Sequence, residues 1–137
     1  MKNIEEIINE DRNLTILSRG IISTDLKKVW SREGPFTVFA PFNIAFSQLD
    51  TDVFVNMEKA ENKTEMKNLL NDHAVAGKIY FKDFKDGQKL KTLNGKELTV
   101  HVANGAVTVN GAKVQARDMQ ADNGVVHALD TVVIPAN

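Results

Sequence analysis

The sequence predicts an α+β domain in which helices come first and a sheet follows. Up to about residue 30 the apolar residues recur at helical spacing, and from about residue 89 they alternate with polar residues. A long apolar run, residues 125–134, lies near the end of the chain. Helical spacing indicates amphipathic helices, and alternation is typical of strands with one buried face. Helices grouped before strands favour the α+β class over alternating βαβ units.

Composition limits the classes of protein that the chain can be. Its 137 residues suit one domain, residues 1–137, with a core that needs no disulfide or metal to hold it. The absence of cysteine excludes disulfides, thiolate catalysis and thiolate zinc sites. A net charge of -1 argues against nucleic acid as a partner, and no apolar run is long enough for membrane insertion. The N-terminus lacks the apolar segment of a signal peptide, so we expect a cytoplasmic chain or one from which an export signal was removed.

The first half of the chain predicts helices around one short strand. Ile4, Ile7 and Ile8 share a helix face, and helical spacing continues to about residue 30. Residues 36–40 are β-prone and end at a proline, after which helical spacing returns. Asn43 stands where it would be the N-cap of that helix, with its carboxamide oxygen accepting from the first-turn amides.

A second helical segment carries a histidine. Met66, Leu69, Leu70 and His73 lie at i, i+3, i+4 and i+7, which predicts that His73 points inward from one helix face. Asp72 is about 100° further round the same helix, so we expect it nearer solvent. A hydrogen-bonded structural histidine is favoured over a ligand at His73.

The last third predicts an antiparallel meander. Four of the eight glycines follow asparagine there, at positions 95, 105, 111 and 124, and each Asn-Gly pair suits a tight primed turn. The run 125–134 then predicts a strand buried on both faces, interrupted only by His127 and Asp130.

Motifs for chemistry are missing from the sequence. His73, His101 and His127 are the one plausible metal trio, but their spacing is not diagnostic, and we expect no metal and no cofactor. We find no nucleophile elbow, phosphate-binding loop or dinucleotide fingerprint. The oligomeric state is left open.

Three ordered segments resemble the signatures of fasciclin domains. They are Gly34-Pro35-Phe36-Thr37-Val38-Phe39-Ala40-Pro41 with Asn43 and Ala45-Phe46, then Leu69-Leu70-Asn71-Asp72-His73-Ala74-Val75-Ala76-Gly77, and finally Val109-Asn110-Gly111-Ala112 with the stretch from Asn123 through Asp130 to Pro135. Two positions depart from the family pattern. Phe42 stands where a small polar residue is usual, and Asp72 replaces the Tyr of a Tyr-His pair whose histidine, His73, is retained.

The resemblance implies a wedge of two β-sheets with helices packed from the N-terminal half. It also implies a non-enzymatic module of cell adhesion or surface interaction, in a secreted, periplasmic or surface-bound protein whose partner is a protein or a surface glycan. The candidate interaction residues are then Asn43, Asp72, His73 and His127. The family would place the partner of the His73 ring in the loop around Pro41 and Asn43.

Two other functions stay open at this point. One is a small-molecule-binding or enzymatic domain that uses His73, His127 and Asp130, and the other is an intracellular stress or scaffold protein. An enzyme needs a concave pocket with convergent polar groups, whereas an adhesion module should present a shallow face.

Overall fold

Helical segments from the N-terminal half cover one side of the sheet. The computed structural model describes residues 2–24, 26–31, 34–47 and 63–133. Within these residues the helices are α1 Ile4–Glu10, a 3₁₀ turn Arg12–Leu14, α2 Thr15–Ser23, α3 Leu26–Trp30, α4 Asn43–Ser47 and α5 Lys63–Asn71. Asn3 begins α1 with a capping box, because its side chain accepts from the Glu6 amide and the Glu6 side chain accepts from the Asn3 amide.

Seven strands form a mixed sheet with the order β2-β1-β7-β6-β5-β4-β3. They are β1 Phe36–Pro41, β2 Ala74–Ala76, β3 Lys89–Lys91, β4 Glu97–Ala103, β5 Ala106–Val109, β6 Ala112–Ala121 and β7 Gly124–Leu129. A 3₁₀ turn, Phe81–Asp83, lies in the connection from β2 to β3. Neighbours pair antiparallel, as the meander prediction requires, except that β1 and β7 run parallel.

The two ends of this sheet meet, which produces the predicted wedge. Val75 in β2 forms a bridge with Thr92 just after β3, and the Leu93 amide donates to the Ala74 carbonyl at 2.8 Å. The half of the sheet formed by β2, β1 and β7 therefore faces the half formed by β3, β4 and β5. The α+β wedge with helices from the N-terminal half is confirmed.

Two hydrophobic cores lie on opposite faces of β1 and β7. Val38 and Val126 point toward the helices, whereas Phe39 and Leu129 point into the space between the halves of the sheet. Alternation along a strand sends neighbouring side chains to opposite faces, so these two strands are covered on both. All six residues of β7 are buried, as the apolar run predicted, but the strand ends at Leu129.

Two of the four Asn-Gly pairs do not form the predicted primed turn. Asn94 lacks the positive φ that such a turn requires, and the Gly95 amide donates to the Thr92 carbonyl, so Gly95 is the last residue of its turn. Asn104 and Asn110 have φ values of 52° and 49° and precede glycines with positive φ, as primed turns require. At the last pair, however, Ala121 pairs with Gly124, so the turn falls one residue earlier and Gly124 is already in β7. A Cβ on Gly124 would overlap the carbonyl oxygen of Phe36 in the neighbouring strand.

Asn123, which precedes β7, forms hydrogen bonds to three other elements. Its Oδ1 accepts from the Ile4 amide in α1 at 2.9 Å, and its Nδ2 donates to the Trp30 carbonyl at the end of α3 at 2.7 Å. Its own carbonyl accepts from the Phe36 amide at 2.9 Å. A single buried side chain thus satisfies two helix ends that have no partner within their helices.

Gly124→Ala should destabilise the protein by more than about 3 kcal/mol, because the added methyl has to displace the backbone of β1. Gly111→Ala is the matched control: its φ is +86° but a Cβ there meets nothing within 4 Å, so only backbone strain of about 1 kcal/mol is expected. Urea unfolding of both variants measures the difference. Equal losses in the free energy of unfolding would show that the close approach of Gly124 to β1 does not make this position more sensitive than Gly111.

Candidate functional site

Asn43 lies at the first residue of α4, but its side chain does not cap that helix. Its Oδ1 accepts from the Ile16 amide at 2.9 Å, and its Nδ2 donates to the Arg12 carbonyl and the Thr15 hydroxyl at 3.1 and 2.9 Å. The helix that it caps is α2, whose own N-cap residue, Leu14, has no side-chain acceptor. The capping prediction was therefore wrong about the helix, because an orphan first-turn amide can be satisfied by a residue that is distant in sequence.

Asp72 is buried, contrary to the expectation that it lies nearer solvent. Helix α5 ends at Asn71, so Asp72 belongs to the turn that follows and the helical angle no longer applies. Its Oδ1 accepts from the Asn94 amide group at 3.0 Å and is 3.5 Å from the Thr92 hydroxyl. Asp72 thus joins the end of α5 to the turn after β3 and offers no exposed surface for recognition.

His73 points inward as predicted and is fully buried, but its partners are not those expected from the loop around Pro41 and Asn43. Its Nδ1 lies 2.8 Å from the Leu69 carbonyl, so Nδ1 carries the hydrogen, and its Nε2 accepts from the Val133 amide at 2.8 Å. Burial lowers the pKa of His73 to about 4, against a smaller opposing effect of the Leu69 carbonyl. The ring is a neutral bridge between the end of α5 and the segment after β7.

His127 forms a second neutral bridge, with the opposite tautomer. Its Nε2 lies 2.8 Å from the Ile79 carbonyl and carries the hydrogen, while its Nδ1 accepts from the Asp118 amide at 3.1 Å. The ring packs against Phe39 and Phe84 with centroids 6.0 and 5.3 Å away. Burial lowers its pKa, although the Ile79 carbonyl and the charge of Asp118 oppose the shift.

The rival site of His73, His127 and Asp130 is not supported by these contacts. Asp130 binds the Lys113 amide at 2.9 Å and also accepts from Gln115 and Thr131. Partial burial would raise the pKa of Asp130, but these hydrogen bonds outweigh it and hold the pKa below its usual value. The three residues share no partner, and both nitrogens of each histidine are engaged. Within the described part of the chain, no three His, Asp or Glu residues are placed to hold a metal ion.

A surface of three exposed cations and two half-buried aromatic residues lies beside His127. We call it the aromatic–cationic face and define it by Lys78, Tyr80, Phe81, Lys82 and Arg117. The Arg117 guanidinium carbon lies 4.1 Å from the centre of the Phe81 ring, and Lys78 Nζ lies 5.4 Å from the centre of the Tyr80 ring. Much of this face lines a depression of about 470 Å³, open to solvent.

The face is assembled by an irregularity in β6. The register of β6 against β7 shifts twice between Val114 and Met119, and Asp118 has a φ of 56°. The irregularity brings the Asp118 carboxylate to the Phe81 amide at 2.9 Å, which fixes the connection beside the strand. The sequence showed aromatic and basic residues at 78–82, but no local pattern reveals that β6 bends to place Arg117 over Phe81, and our sequence interpretation missed the face.

Helices packed on a nearly closed, mixed sheet, with two buried histidines bridging its connections, define an α+β wedge of the kind expected from the fasciclin resemblance. The family model of the fasciclin domain matches residues 12–135. The chain belongs to the fasciclin domain family.

Two curated relatives from the same comparison differ in how much of their own length this chain matches. The Synechocystis protein sll1483 is 37% identical over 132 residues, which are 96% of this chain and 73% of that protein. The transforming growth factor-beta-induced protein ig-h3 of Sus scrofa is 33% identical over 135 residues, or 98% of this chain, but the match spans only 20% of the relative.

A solved structure confirms the fold independently. The FAS1 domain pair of the insect cell adhesion molecule Fasciclin I superposes with a TM-score of 0.86 at 15% identity, covering 97% of this chain and 51% of that one. In the described residues no helix is long and apolar enough to cross a membrane.

Asn43→Ala should cost about 2 kcal/mol, because it leaves the Ile16 amide without its acceptor and removes two further bonds to the start of α2. Asn43→Asp should cost less, since it keeps the acceptor. Ser47→Ala, in the same short helix at an exposed position, is the control and should stay within about 0.5 kcal/mol of the native protein. Denaturant midpoints decide this, and an Asn43→Ala midpoint equal to that of Ser47→Ala would contradict the cap.

Acid should weaken the fold through the buried histidines. The His73 pKa falls from 6.5 to about 4 on folding, so between these values the unfolded chain binds a proton that the folded chain does not. The stabilisation is complete above pH 6.5 and declines as the pH drops toward 4, by roughly 3 kcal/mol for His73.

His73→Gln tests the origin of this dependence, because glutamine does not titrate. The variant should be less stable at pH 7 yet lose less stability on acidification, since about one proton fewer is taken up on unfolding. Free energies of unfolding measured in urea between pH 7 and 4.5 give the two slopes. His127 titrates in both proteins and cancels, so parallel slopes would show that His73 is not neutral in the fold.

Proposed function

We propose that this chain is a non-enzymatic interaction module of fasciclin type, one domain over residues 1–137, that contacts a protein partner at or outside the cell surface. The observation that carries the proposal is that the polar residues of the family motifs and the solvent-facing residues are different sets. Asn43, Asp72, His73 and His127 are spent on contacts inside the fold, while the aromatic–cationic face is open to solvent. A catalytic group must be able to reach a substrate, whereas Asp72, His73 and His127 are buried and hydrogen-bonded within the fold.

The composition of the exposed face supports a protein partner. Tyr, Phe and Arg are enriched at protein interfaces, where they supply large contact areas and charge-assisted hydrogen bonds. The solved neighbour with the same fold is titled an insect cell adhesion molecule, which agrees with a role in adhesion. A surface location, in a secreted, periplasmic or surface-bound form, follows from this proposal.

Retention of whole cells tests the function. The purified chain is coupled to a biosensor surface, and intact cells of the source organism are passed over it beside a protein of equal size and charge as the control. We expect retention above the control that is lost when the cells are first treated with protease and is kept after periodate oxidation of their glycans. Retention that survives protease but not periodate would assign the partner to glycans, and retention equal to the control would reject the proposal.

A further inference from the structure

We propose that the aromatic–cationic face binds an acidic peptide segment of a partner protein. This deepens the proposed function and depends on it. The partner segment is expected to carry carboxylates on either side of an apolar residue. The carboxylates would meet Arg117 and Lys82, and the apolar side chain would enter the depression between them.

The charge of the face differs from that of the chain. The whole chain carries a net charge of -1, whereas the depression is lined by two cations, Lys82 and Arg117, and one acid, Asp118, and Lys78 adds a third cation beside Tyr80. None of Lys78, Lys82 and Arg117 has an ion-pair partner among the described residues. The nearest acid in the depression, Asp118, already holds the Phe81 amide with one carboxylate oxygen. A local positive surface on an acidic protein selects for an anionic partner.

The cations are held in position before any partner arrives. The Arg117 guanidinium carbon lies 4.1 Å from the centre of the Phe81 ring, and a guanidinium can bind a carboxylate through two parallel hydrogen bonds. The cation–π contact restricts the long side chain of Arg117, which reduces the entropy lost on binding. Phe81 is fixed in turn by the Asp118 carboxylate, and Tyr80 lies 3.4 Å from Gln120 through its hydroxyl.

The size and shape of the face favour a peptide over other anions. A volume of about 470 Å³ falls within the range of ordinary ligand sites and admits a side chain with its flanking backbone. Nucleic acid calls for a longer basic stripe, and anionic lipid for clusters of roughly four to eight basic residues. Sugar stacking needs free ring faces, whereas here Phe81 and Tyr80 each have a cation over one face.

Fluorescence anisotropy with a defined probe tests the proposal. The probe is a labelled peptide in which four glutamates flank a phenylalanine, and the same peptide with glutamines serves as its neutral match. We expect the glutamate peptide to bind at least about tenfold more tightly than the neutral match, with an affinity that falls as salt is raised. An unlabelled oligo-uronate of equal charge is added as a competitor.

Three variants locate the binding. Arg117→Glu should weaken the affinity for the glutamate peptide by at least about tenfold and Lys82→Glu by a few-fold, whereas Arg117→Lys, which keeps the charge, should still lose part of the affinity with the bidentate contact. Lys67→Glu makes the same charge change at an exposed position of α5 and should leave the affinity unchanged. All three positions are exposed, and thermal unfolding verifies that each of the four variants is folded.

Other outcomes would overturn the proposal. Equal losses in Lys67→Glu and Arg117→Glu would mean that only net charge matters, and displacement by the oligo-uronate at equal concentration would assign the face to glycans. Absence of binding at 1 mM peptide, roughly the weakest affinity of interest, would also reject it. If cells are retained equally by the native chain and Arg117→Glu, the face is wrong while the interaction module stands.

Discussion

The structure depends on one constraint: backbone groups buried at the ends of short elements must find partners, and here these partners come from side chains far away in sequence. Asn123 closes the start of α1 and the end of α3, Asn43 closes the start of α2, and His73 holds the segment after β7. Helices of five to nine residues are marginal by themselves and leave a large share of their amides and carbonyls unpaired. These long-range caps are therefore what allows short helices to pack on the sheet.

Histidine suits two of these positions because its neutral ring donates on one side and accepts on the other. His73 and His127 use opposite tautomers, and in each the hydrogen-bearing nitrogen meets a carbonyl while the bare nitrogen meets an amide. Protonation would turn each acceptor into a donor facing an amide hydrogen. Burial and the two amide donors therefore favour the neutral rings, against the smaller opposing effect of the carbonyls, and the resulting stability is lost in acid.

Local patterns in the sequence were enough to predict most helices and strands, but not to predict which side chains join them. Alternation and the Asn-Gly pairs predicted the meander, and the apolar run predicted that β7 is buried on both faces. The roles of Asn43 and Asp72 were misassigned because residue spacing along the chain predicts neighbours only within one helix. Asn43 caps a different helix from the one it begins, and Asp72 lies beyond the end of α5. Arg117 was missed because its place over Phe81 depends on a register shift in β6 that no composition reveals.

Hydrogen bonds inside the fold hold the two segments that form the aromatic–cationic face. His127, on the buried strand β7, holds the Ile79 carbonyl on one side and the Asp118 amide on the other, so a buried ring fixes both segments that carry the face. The Asp118 carboxylate then ties the two segments directly to each other through the Phe81 amide. A binding surface that is already ordered pays less entropy on association. If the face binds the partner as proposed, a buried histidine supports recognition without touching that partner, and a change at His127 would alter binding through the position of Arg117 and Phe81.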